Sequence, residues 1–137
     1  MEIKNLKSAI IHDWFLKKSF GGAEKVTFLL NKFLSENYSS PDIYSIVSNI
    51  RSKDNKFLKG KKINTTFIQK LPFGNTKVQN YLPFLPFAIE QIDLEKYDLV
   101  VSSSHAFAKG VLTSPDQLHI SYIHTPMRYA WDQMKIY

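Results

Sequence analysis

The chain has no cysteine, an absence that excludes a disulfide framework, a thiolate metal site and a cysteine nucleophile together. No apolar run approaches the length of a membrane span, and residues 1–5 lack the long apolar core of a signal peptide. A soluble protein of the cytoplasm is expected. Glycine is sparse, at five in 137 residues, and it forms neither the G-x-G-x-x-G dinucleotide fingerprint nor a P-loop. No G-x-S-x-G elbow supports serine-based hydrolysis. No pair of histidines stands at metal-ligand spacing with a carboxylate, so no metal and no other cofactor is expected. No internal repeat is visible.

What remains is the composition of one globular domain, long enough to bury roughly two-thirds of its unfolded surface. The net charge is +6 and the pI near 9.4, a balance that favours anionic partners such as nucleotides, phosphorylated substrates or a membrane surface. Much of the excess lies in Arg51, Lys53, Lys56, Lys59, Lys61 and Lys62. These read as a solvated loop, or as a contact with anionic lipid worth on the order of 1 kcal/mol per residue. No nucleic-acid recognition motif accompanies the charge, and nucleic acid is not expected as a partner.

In chain order, residues 7–12 read as a buried strand, followed by a loop over 13–20. Gly21, Gly22, Ala23 and Glu24 open a helix that ends near Asn37, and Ala23, Val26, Leu29, Leu30, Phe33 and Leu34 form its apolar face. Residues 42–47 and 63–68 read as the second and third strands. Residues 78–94 read as a helix that Pro83 and Pro86 kink or interrupt. Residues 97–103 are the clearest strand, followed by a short helix with Ser104 as its cap. Ser114 to Gln117 turn into a fifth strand, ending at Ile123. Alternating strands and helices predict an α/β domain with a parallel sheet. With the strand order 3-2-1-4-5, the Gly21-Gly22 loop, the loop after residue 102 and His124 converge on one rim.

That rim is where open α/β sheets bind ligands. His124 ends a strand, while Thr125 caps a new helix and Pro126 occupies its first position. His12 and His105 are placed on the same rim, and His119 is expected to be structural. Gly21 and Gly22 either make a plain tight turn or admit a phosphate or sugar close to a helix N-terminus. Glu24 suits the helix dipole; as a carboxylate it suits sugar hydroxyls better than phosphate. Ser102, Ser103 and Ser104 are read as capping or binding groups. Arg128, in the first turn of the last helix, fits a ligand phosphate or sugar there, or a salt bridge to Asp132.

His12-Asp-Trp14, Gly21-Gly-Ala-Glu24, Tyr97-Asp-Leu-Val-Val-Ser-Ser-Ser-His105 and His119-Ile-Ser-Tyr-Ile-His-Thr-Pro-Met-Arg-Tyr-Ala-Trp131 together resemble the N-terminal domain of family-4 glycosyltransferases. The nearest resemblance is to bacterial mannosyltransferase-like members of polysaccharide assembly. It implies half of a GT-B fold: a Rossmann-like, acceptor-side domain facing a C-terminal donor domain across a cleft. It also implies metal-independent, retaining transfer of a hexose from a nucleotide sugar to a glycan or lipid-linked acceptor. By the same resemblance, Gly21 and Gly22 approach the donor phosphates and His124 lies at the transferred sugar. Asp13, Trp14, Ser104, His105, Thr125 and Arg128 match by motif as sugar- or acceptor-binding residues. The family's donor-binding residues have no counterpart here, so the chain reads as a fragment, a split-gene product or a truncated enzyme. Transfer is expected only with a donor domain in cis or trans; the alternative is a sugar- or nucleotide-binding domain without chemistry. Phe84, Leu85, Phe87 and Ile89, crowded around two prolines, are expected either near the inner face of the membrane or packed on the sheet.

Overall fold

A computed structural model describes residues 5–16, 22–50, 61–104 and 107–124. Five parallel strands form one sheet in the order β3-β2-β1-β4-β5, the order expected from the sequence. They are β1 (Ser8–Phe15), β2 (Asp42–Ser48), β3 (Ile63–Asn64), β4 (Leu99–Ser104) and β5 (Leu118–Ile123). Helix α1 (Gly22–Asn37) covers one face, with Phe28 and Leu34 packed on Ile10, Phe15, Ile43, Leu99 and Val101. The other face is covered by 3-10 turns at Phe67–Lys70 and Val78–Phe84, by the short helix α2 (Leu85–Glu90) and by a 3-10 turn at Ala108–Gly110. There Ile68, Val78, Leu85, Ala88 and Ile89 pack on Ala9, Ile11 and Val100. Helices on both faces make this a Rossmann-like α/β sandwich. They also explain why β1 is buried along its whole length, since a central parallel strand is covered on both sides.

Several boundaries differ from the sequence expectation. Strand β1 does not stop at His12 but runs through Asp13, Trp14 and Phe15, all buried. Pairing holds it there: Phe15 lies opposite Ser48, and Asn49 N–H donates to Phe15 O at 3.0 Å. The third strand shrinks to two residues, because Thr66 withdraws the chain from the ladder. Its hydroxyl donates to Ile46 O at 2.9 Å and accepts from Ile68 N–H at the start of the following 3-10 turn. Ser104 is the last residue of β4, and the described 3-10 turn that follows has Phe107, not Ser104, at its N-cap. Within residues 78–94, backbone angles at Tyr81 (φ −106°, ψ 17°) break the turn, and Pro86 lies in the first turn of α2, where its missing N–H costs nothing. Leu85 and Ile89 are core, whereas Phe84 and Phe87 point outward.

The largest correction concerns α1. Its buried residues are Glu24, Thr27, Phe28, Asn31 and Leu34, while Leu29 and Phe33 are 66% and 55% exposed. The helix turns a largely polar stripe inward because that stripe finds partners: Glu24 meets His12, Thr27 meets Ser103, and Asn31 Oδ1 accepts from Lys61 Nζ at 2.7 Å. Buried polar groups are tolerable when they are satisfied in this way. At the far side of the sheet, β5 is an edge strand whose side chains are mostly exposed. Among the described residues no helix is long and apolar enough to cross a membrane.

Candidate functional site

The carboxyl ends of β1, β4 and β5 and the N-terminus of α1 meet at one rim, and a chain of polar side chains runs through it. His124 follows β5 directly and is held by its backbone, its N–H donating to Ser104 O at 2.9 Å. Its Nε2 lies 2.7 Å from Ser103 Oγ, and Ser103 Oγ lies 3.0 Å from Thr27 Oγ1, one turn into α1. Thr27 Oγ1 is also 3.1 Å from Ala23 O. Three hydroxyl and imidazole groups thus share one line, and its protons can be arranged in two ways. If Thr27 donates to Ala23 O, Ser103 donates to Thr27 and His124 Nε2 carries its hydrogen. If Thr27 donates to Ser103, Ser103 donates to His124 Nε2, which is then the acceptor. Either way the line fixes the ring's orientation, while the two arrangements give Nε2 opposite roles.

A second buried pair stands beside it. His12 Nδ1 is 2.8 Å from Ser103 O, so that nitrogen carries a hydrogen, since a carbonyl only accepts. Its Nε2 faces Glu24 Oε1 at 3.4 Å, with both side chains almost fully buried. The His12 and His124 rings are edge-to-face, 6.5 Å apart between centroids, and Tyr122 lies 4.8 Å from His124. Ser103 joins the two pairs, its carbonyl holding His12 and its hydroxyl holding His124.

Gly22 opens α1 on this rim, and a Cβ built there meets nothing within 4 Å. Among the described residues no contact requires a glycine there, and none fills the space above it. Glu24, two residues on, turns inward to His12 and away from that space. Among the described residues no group of three or more acidic or histidine side chains could hold a metal.

The remaining expected site residues divide by burial. Asp13 is fully buried, and its Oδ1 accepts from Phe107 N–H and Ala108 N–H, both at 2.6 Å. It anchors the segment after β4. Trp14 is core. Ser104 is fully buried, and among the described residues its hydroxyl finds no hydrogen-bond partner. Gly21, His105, Thr125 and Arg128 lie outside the described residues, as do Arg51, Lys53, Lys56 and Lys59. Lys61 ties α1 to the start of β2, donating to Asn31 Oδ1 and to Pro41 O at 2.7 Å each. His119 Nε2 is 2.9 Å from Ser102 Oγ, which also bonds Ser121 Oγ. Burial holds the His119 imidazole below its usual pKa.

Sequence reasoning missed Thr27 as a member of the site, and it did not separate Ser103 from Ser102 and Ser104. A signal was present, since Glu24, Thr27 and Asn31 recur at helical spacing as a polar stripe, but an apolar face was available and was the simpler reading. The domain is of the parallel, Rossmann-like α/β class. Comparison with known protein families, with curated proteins and with solved structures finds no match to this chain.

Proposed function

We propose that this domain is the acceptor-side half of a retaining, GT-B glycosyltransferase of the cytoplasm. It moves a hexose, with mannose the nearest resemblance, from a nucleotide sugar to a glycan or lipid-linked acceptor in cell-surface polysaccharide synthesis. The observation that carries the reading is the rim itself, where His124, oriented through Ser103 and Thr27, stands on the same edge as the open N-terminus of α1. In the transfer, the bond between the anomeric carbon and the donor phosphate oxygen breaks, and the nucleoside diphosphate departs. The acceptor oxygen bonds to the anomeric carbon and gives up its proton. The N-terminus of α1, bare at Gly22, suits the diphosphate as its charge grows. His124 hydrogen-bonds hydroxyls of the migrating sugar. Contacts that strengthen as the bond breaks lower the barrier, whereas uniform binding does not. A donor domain in cis or trans supplies most of the nucleotide contacts, and no metal takes part.

Titration of the isotope-labelled chain with nucleotide sugars, followed by amide chemical shifts, tests the assignment. The shifts should concentrate at Gly22, Ala23 and His124, and Gly22→Asp should abolish them while leaving the rest of the spectrum intact. The open space at Gly22 lets that variant fold, and its carboxylate would oppose the phosphates. Wild-type-like shifts in the Gly22→Asp chain would remove this helix start from the site.

A further inference from the structure

The layer of 3-10 turns and α2 has a second face, turned away from the sheet, and four phenylalanines stand on it. Phe67 is 41% exposed, Phe73 65%, Phe84 57% and Phe87 56%. Phe67 and Phe87 touch edge-to-face, with centroids 6.1 Å apart. Tyr81 OH, in the turn that ends at Phe84, donates to Pro72 O at 2.6 Å and latches the Phe73 loop to the same layer. Phe73 occupies left-handed backbone space at φ 58°, which a bulky residue rarely adopts. The loop thus holds an aromatic ring in solvent where glycine or asparagine would sit without strain. Packing inside the domain does not account for the ring's place there.

Charge identifies the partner. Residues 61–89 contain no Asp or Glu. Lys70 and Lys77 are exposed among the four rings, and Lys77 Nζ lies 5.4 Å from the Phe73 ring centroid. Exposed aromatic rings with two lysines in the same layer, and Glu90 at the end of α2 as the nearest acidic residue in sequence, match a bilayer surface that carries anionic headgroups over an apolar interior. We infer that Phe67, Phe73, Phe84 and Phe87, with Lys70 and Lys77, form a docking face for an anionic membrane.

The face also borders the candidate site. Gln69 bonds Ser48 at the carboxyl end of β2 through both its amide atoms, and Asn49 Nδ2 donates to Asn75 O at 3.2 Å. The aromatic layer is therefore fastened at the rim where His124 stands. A chain docked by this face holds that rim beside the bilayer, which under the proposed function is where a lipid-linked acceptor is presented. The inference rests on that reading only for its purpose, because docking is measured without any sugar.

Co-sedimentation with phosphatidylserine–phosphatidylcholine vesicles at low salt tests it. The chain should pellet with these vesicles, release at high salt and stay in solution with phosphatidylcholine alone. Replacing Phe73, Phe84 and Phe87 together by serine should lower partitioning at least about tenfold. Lys70→Gln with Lys77→Gln should lower it about twentyfold and serves if the serine variant fails to fold. Leu29→Ser with Phe33→Ser removes comparable exposed apolar surface from α1, on the opposite face of the sheet, and should leave partitioning unchanged. No pelleting with anionic vesicles would overturn the inference, as would equal losses in the α1 control. A self-associated form that buries the four rings and ignores vesicles would overturn it too. Failure here with nucleotide-sugar shifts intact leaves the sugar-transfer reading standing, and the reverse result leaves the docking face standing.

Discussion

Ser103 carries more of the site than its small side chain suggests. Its carbonyl requires a hydrogen on His12 Nδ1, and its hydroxyl sets the state of His124 Nε2. Nothing in the run of three serines ending β4 distinguishes these roles in sequence, because all three are buried and only the strand's alternation separates them. Ser102 faces His119 and Ser121, Ser103 faces α1, and Ser104 remains unsatisfied among the described residues. His119 contributes a pH response to stability. Burial lowers its folded pKa below the unfolded value near 6.5. The unfolded chain therefore binds more protons in the window between the two values, and stability falls as pH drops through that window. Above about pH 6.5 both states are neutral and the contribution is flat. Urea unfolding of the wild type and of His119→Gln across mildly acidic to neutral pH should show a shallower acid decline in the variant. Parallel curves would mean that the imidazole is equally solvated in both states.

At the scale of elements, α1 shows what periodicity can and cannot convey. Its existence and both ends were legible from the Gly21-Gly22 start and from helical spacing that runs out near Asn37. Its inward face was not, because that choice depends on His12 and Ser103, which come from other strands. The same cause lengthened β1, whose last residues are strand only because Ser48 and Asn49 pair with Phe15. The turn that precedes Val78 shows a tighter constraint. A Cβ at Gly74 would lie 1.9 Å from Ile68 O and 3.1 Å from Leu71 O, both backbone atoms that cannot swing aside. Gly74→Ala should thus destabilise the domain by about 2 kcal/mol or more, read as a lowered urea midpoint. A midpoint within error of wild type would show that the Phe73 loop relaxes freely.

On the scale of the whole molecule, the strand order was legible because alternating elements and right-handed crossovers leave few topologies. That order places the ends of β1 and β4 side by side and gathers the rim. The aromatic face was partly legible in Phe84 and Phe87. Leu85 and Ile89 were separated from them only by the register of α2, and Phe67 and Phe73 only by the fold of the turns. Under the proposed function, the rim and the face together would hold sugar transfer beside a membrane. The proposed transfer turns on His124, and comparing His124→Ala with wild type, each paired with a donor domain, tests it. There kcat should fall on the order of a hundredfold, with Tm and donor Kd nearly unchanged, since one contact made in the transition state is lost. A lowered Tm with turnover per folded molecule unchanged would contradict it, leaving His124 as a strap that only closes β5 against Ser103.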